Sequence, residues 1–101
     1  MLTSALVYSQ TLYSVDYVSQ ADLKVYVVDY VSQADLKVFK VDYLSQARGN
    51  KGLWYFVDYE SKSDKKIFFV EYKSQADLLI FFVDYKINSG WLNNSKKQLL
   101  Y

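Results

Sequence analysis

Apolar and polar residues along this chain follow one short pattern that is used again and again. The unit reads V-D-Y-x-S-Q-A-D-L-K-V, and the eleven residues Val15–Val25 recur letter for letter as Val28–Val38. An acid between Val and Tyr marks each copy: Asp16, Asp29, Asp42, Asp58, Glu71 and Asp84, at intervals of 13, 13, 16, 13 and 13 residues. Numbered from its Val, the unit has the acid at position 2, Tyr at 3, mostly Ser-Gln-Ala-Asp at 5 to 8, an apolar residue at 11 and an aromatic one at 12. Ser and Asp side chains accept hydrogen bonds from nearby backbone N–H groups, which favours turns at positions 5 to 8. The run from position 9 to position 4 of the next copy, such as Leu23–Val31, reads as a strand. The pattern therefore predicts a strand of up to nine residues followed by a four-residue turn.

Alternation assigns the faces of that strand. Position 12 (Tyr26, Phe39, Tyr55, Phe68, Phe81), the Val at position 1 and the Tyr at position 3 share one face, which is expected to point to the core. The other face carries position 11 (Val25, Val38, Trp54, Ile67, Ile80), position 13, the acid and position 4. It is apolar at the start of each strand and increasingly polar towards its end. An open single-layer sheet would leave the Phe68-Phe69 and Phe81-Phe82 pairs half exposed, so closure is favoured. The expected fold class is all-β, with tandem 13-residue strand-turn repeats in a compact, closed, barrel-like coil. The alternative is an unknotted antiparallel meander barrel, in line with the rarity of true knots.

At 101 residues the chain makes one domain. Its repeats run from about residue 15 to 92, preceded by a degenerate echo within 1–14 (Val7-Tyr8-Ser9-Gln10) and followed by a tail, 93–101. The segment Gln46–Gly52 lengthens the third turn by three residues. Its two glycines tolerate positive φ, so it reads as an exposed loop. Lys86–Trp91 is a decayed last copy. In the tail, Ser95 and Gln98 have the spacing of a capping box for a short helix, with a frayed end as the other reading.

Composition narrows the chemistry. Hydrophobic residues make up 51% and charged residues 23%, a balance that excludes general disorder. The aromatic share of 19%, beside 3 Gly and no Pro, suits strands. A net charge of +1 argues against a dedicated nucleic-acid binder. There is no Cys, hence no disulfide and no thiol nucleophile, and no His, the commonest general base and metal ligand. No stretch approaches the roughly 18 apolar residues of a membrane helix. Met1–Val7 lacks the positive start of a signal peptide. A cytoplasmic monomer without cofactor, metal or membrane contact is expected.

Three features are candidate sites. The six acids occupy equivalent positions and offer oxygen ligands for Ca²⁺ if the strands align, but the Gly-punctuated loop of such a site is missing, so solvated acids are the favoured reading. The tyrosines Tyr17, Tyr30, Tyr43, Tyr59, Tyr72 and Tyr85 offer stacking surfaces for single-stranded nucleic acid, yet the near-zero net charge favours a core or boundary role. Arg48, Lys51 and Trp54 form the most individual segment and are the candidate partner-binding residues, weighed against a plain surface insertion. No catalytic residue is singled out, because the Ser residues sit in repeated turns with no His to activate them.

The tandem units of Val15–Phe39, with weaker copies through Tyr85, resemble the septoil-knot family of small proteins. That resemblance implies an all-β monomer whose repeats coil twice around a common core in a seven-crossing knot, and it implies no activity. Near-identical repeats suit one regular winding path. They also permit slippage by a whole repeat, which the Arg48–Gly52 insertion and the tail help to prevent. The expected function is that of a non-enzymatic, structurally robust domain. The alternative is a binding module for a protein partner or single-stranded nucleic acid.

Overall fold

A computed structural model describes residues 9–101. Each repeat contributes one short strand, because its run of β-branched and aromatic residues suits a pleated surface. The strands are β1 (Gln10–Ser14), β2 (Leu23–Val27), β3 (Leu36–Lys40), β4 (Leu53–Phe56), β5 (Lys65–Phe69), β6 (Leu78–Phe82) and the two-residue β7 (Gly90–Trp91). Between them lie single 3₁₀ turns at Val18–Gln20, Val31–Gln33, Leu44–Gln46, Glu60–Lys62, Lys73–Gln75 and Lys86–Asn88. A longer 3₁₀ segment, Asn94–Leu100, ends the chain.

Six strands close into a parallel barrel in the order β4-β1-β5-β2-β6-β3, with β3 returning to β4 and β7 lying antiparallel against β3. The expectation of closure holds. The antiparallel meander does not, because consecutive strands run parallel and, with one exception, are not neighbours. β1, β2 and β3 take alternate places, and β4, β5 and β6 fill the gaps. Each regular connection therefore passes over one intervening strand. Three such steps around six places would return the chain to the place of β1. The connection from β3 to β4 instead moves a single place, and it is the one that carries the three extra residues.

Each of the six barrel strands pairs through its first half with one barrel neighbour and through its second half with the other. In β2, Leu23–Val25 faces β5 and Val25–Val27 faces β6. Equivalent residues of adjacent strands are thus two residues out of register, and equivalent side chains form rings inside the barrel. The central ring is position 11: Leu12, Val25, Val38, Trp54, Ile67 and Ile80, at most 1% exposed. Leu23, Leu36 and Leu78 of position 9 and Leu100 from the tail complete the main core. Each such burial stabilises by about 1.5–3 kcal/mol. Trp54 stands where the other strands carry Leu, Val or Ile, and two residues before it Gly52 fills no volume. Large beside small keeps the barrel packed.

The face assignment made from alternation is reversed. Position 11 points inward, whereas the aromatic position 12 lies half-buried on the outside. Val15, Val28 and Val41 at position 1 are buried, but the six tyrosines of position 3 are 64–68% exposed. The six barrel strands are five residues long or shorter and stop at position 13, so Val and Tyr belong to the connections and no longer obey strand alternation. Residues 10–14, read as part of a degenerate echo, make a full barrel strand. Val7 and Tyr8 of that echo lie outside the described residues. The tail is docked, with Leu100 in the core, and Asn93 caps its 3₁₀ segment by accepting from the Ser95 N–H at 3.2 Å. Ser95 is not the cap.

Candidate functional site

The connections are tied to neighbouring strands by a repeated set of bonds. The N–H of each position-1 Val donates to a position-11 carbonyl: Val15 to Ile67, Val28 to Ile80, Val41 to Trp54, Val57 to Leu12, Val70 to Val25 and Val83 to Val38, at 2.8–3.0 Å. At the far end of the connection the position-8 Asp makes a two-point clasp on one residue. The Asp22 N–H donates to the Lys66 carbonyl at 2.7 Å, and its carboxylate accepts from the Lys66 N–H at 2.9 Å. Asp35 holds Leu79 in the same way, and Asp77 holds Lys24. Asp64 repeats the pattern on Thr11 with a long 3.5 Å carboxylate contact, supported by a bond from its N–H to the Thr11 hydroxyl. The expectation that these acids bond locally within their turns is corrected: their partners lie 44 or 53 residues away. Inside the turns, Ser63 and Ser89, where Ser replaces Ala at position 7, donate to the Glu60 and Lys86 carbonyls, and Gln46 Oε1 accepts from the Asp42 and Tyr43 N–H groups.

The two ends of the barrel differ. Where the strands begin, the tail closes the opening. Asn93 donates through Nδ2 to Asp35, Lys96 donates through Nζ to the Asp77 carbonyl, and Gln10 donates through Nε2 to the Leu100 carbonyl at 3.0 Å. Asn50, from the insertion, donates to the Lys97 carbonyl and accepts from the Trp91 indole. Where the strands end, the rim alternates Phe56, Phe69 and Phe82 with Ser14, Val27 and Lys40. The Lys40 ammonium lies 5.4 Å from the Phe56 ring and 4.8 Å from Phe82, a favourable cation–π placement.

The residues singled out from sequence are not brought together. Arg48 and Lys51 are exposed, but Trp54 belongs to β4 and is fully buried in the central ring, so it presents nothing to a partner. The insertion faces inward as much as outward, since Asn50 is 8% exposed and Gly52 is buried. Gly49 and Gly52 adopt the expected positive φ, 73° and 86°. A Cβ at Gly52 would lie 2.3 Å from the Lys37 carbonyl oxygen, so the close approach of β3 requires glycine there. The acids Asp16, Asp29, Asp42, Asp58, Glu71 and Asp84 are all exposed and follow different strands. Among the described residues no three metal-ligating side chains gather. Each position-3 tyrosine precedes its 3₁₀ turn in extended geometry, and Lys62 lies 5.6 Å from the Tyr59 ring.

One residue of interest, Gln10, is not singled out by the repeat pattern alone. Gln10 occupies a position-9 site that is Leu in Leu23, Leu36 and Leu78, a departure visible by counting back from Val15. Its Oε1 is buried without a hydrogen-bond partner, as is the Nε1–H of Trp54, the residue it faces on β4. Gln10 and Leu12 line a cavity of about 350 Å³ together with Leu100, Tyr101 and the Asp64-Lys65 pair.

These features define a closed six-stranded parallel β-barrel with an extra strand, whose connections are clasped to neighbouring strands. The family model of the 7(1) septoil knot domain matches residues 9–92, and the chain belongs to that family. No curated protein and no solved structure matches it.

Proposed function

We propose that the chain is a non-enzymatic, monomeric structural domain whose useful property is resistance to unfolding. The reading is that its strands wind twice around one core and that the path is knotted, as the family's description suggests. The observation that supports it best is the clasping of interleaved strands: β5 is gripped along one edge by Val15 and along the other by Asp22, from a single connection. To release β5, the chain must open contacts made by both halves of the molecule. Resistance would then be kinetic as well as thermodynamic. Unfolding in concentrated denaturant and native-state proteolysis test this, and both are expected to be slow. Rapid cleavage within Val15–Tyr85 under native conditions would remove the proposal.

A second reading, a binding module, draws support from the exposure of the six tyrosines. It now rests on them and on Arg48 and Lys51, without Trp54. Binding of single-stranded nucleic acid that weakens with salt and is lost on Lys51→Ala would favour it, and absence of binding at low salt would eliminate the nucleic-acid form.

A further inference from the structure

The rim where the strands end repeats one arrangement around the barrel, with one informative difference. Position 13 lies on the same strand face as the core residues of positions 9 and 11. It brings Phe56, Phe69 and Phe82 to the rim from β4, β5 and β6, each half-buried and packed on the main core. The strand order sets one residue between each two rings: Lys40 between Phe82 and Phe56, Ser14 between Phe56 and Phe69, and Val27 between Phe69 and Phe82. Lys40 shows what such a gap can hold. Its ammonium sits 4.8 Å from the Phe82 ring and 5.4 Å from that of Phe56, so two rings share one cation.

The gap at Ser14 has the same kind of walls but no cation of its own. Ser14 is exposed, and its side chain ends at Oγ, well short of where a lysine ammonium reaches. Phe56 is held edge-on against the buried Trp54, with ring centroids 6.0 Å apart, which fixes one wall. The exposed carboxylates of Asp16 and Asp58 stand two residues beyond Ser14 and Phe56, and the connection that bears Asp58 is bonded across β1 by the Val57 N–H. Neither acid is paired: among the described residues the one ion pair joins Lys96 to Asp35. Aromatic rings beside unpaired carboxylates select a cation over an anion or a neutral guest. Val27, by contrast, fills its own gap with an apolar side chain. We propose that the rim at Ser14 binds an alkylammonium ion, seated between Phe56 and Phe69 as the Lys40 ammonium is seated between Phe56 and Phe82. This site is separate from the tyrosines, Arg48 and Lys51 of the binding-module reading and does not depend on it.

The test titrates the full chain with n-butylammonium and with 1-butanol, a neutral probe of similar size, while NMR follows the ring protons of Phe56, Phe69 and Phe82. Butylammonium is expected to shift Phe56, Phe69 and the Ser14 amide, and to bind about two- to thirtyfold more tightly than the alcohol. N-acetyl-lysine methylamide separates the sources of the cation. Shifts of the same rings assign a lysine of a partner protein, and shifts with butylammonium alone assign a free amine. Ser14→Lys supplies the ammonium from the chain itself and should abolish binding. Lys40→Ser recreates the Ser14 arrangement in the neighbouring gap and should add a response at Phe82. Both positions are exposed, so both variants are expected to fold. If one does not, the other and the amine-to-alcohol ratio in the unaltered chain decide. Equal binding of amine and alcohol, shifts elsewhere than at Phe56 and Phe69, binding retained in Ser14→Lys, or an unresponsive Phe82 in Lys40→Ser would each overturn the proposal.

Discussion

Four of the five connections that join the six barrel strands follow one rule, and the third, from β3 to β4, breaks it. The regular connections span one repeat, hold one 3₁₀ turn and carry the chain over one intervening strand. The connection from β3 to β4 has the same turn, Leu44–Gln46, but continues through Arg48–Gly52 and advances one place only. The regular connections give the barrel its repeated bonds. The irregular one sets the second group of strands between the first. Repetition alone would make the fourth strand compete with β1 for its place, so the departure is as necessary as the rule.

The comparison is broken most completely by making the β3–β4 connection like the rest. Deletion of Arg48, Gly49 and Asn50 restores the 13-residue interval, and it is expected to abolish the native state, seen as loss of near-UV circular dichroism and of amide dispersion. Asn50→Ala, which removes the side-chain bond to the Lys97 carbonyl but keeps the backbone bond from Trp91, should remain folded. Next in size is Gly52→Ala. It combines positive φ with a Cβ against the Lys37 carbonyl and should cost about 3 kcal/mol or more in urea unfolding, whereas Gly49→Ala, with open space around it, should cost about 1.

The acids sharpen the comparison at smaller scale. Asp35 is buried and bonds both Leu79 and Asn93, with Lys96 at 3.9 Å, while Asp22 is exposed and clasps Lys66 alone. Asp35→Ala is expected to cost about 2–3 kcal/mol and Asp22→Ala about 1, measured by the same unfolding experiment. The smallest effect belongs to the tyrosines. Tyr30→Ser should change stability by no more than about 0.5 kcal/mol, because that side chain is 68% exposed. Ile67→Ala, in the central ring, should cost about 2–5.

Much of the architecture is readable from the letters. The repeat interval, the all-β character, closure and the positive φ of Gly49 and Gly52 follow from periodicity, composition and the chemistry of glycine. The inward face is not, and the reason is physical. Alternation carried through Val28-Asp29-Tyr30, where the strand has already ended, places the unvarying Val and Tyr in the core, although they belong to the connection. Parallel pairing is also hard to foresee, since connections of eight residues, such as Val15–Asp22, are shorter than the dozen or more usual for a parallel crossover. The partner of Asp22 could not be found locally because Lys66 is 44 residues away. Trp54 read as part of a loop from its nearness to Gly52, whereas its place in the repeat, position 11, is the one that is buried in every strand.

Native-state hydrogen exchange tests the interdependence of the two groups of strands most directly. The Val15 and Asp22 amides bond β5, and the Val57 and Asp64 amides bond β1. If each half holds the other, all four are expected to exchange slowly and with one common free energy, that of global unfolding. Exchange of one pair orders of magnitude faster than the other would show that one half opens alone, and would contradict the interlocked barrel.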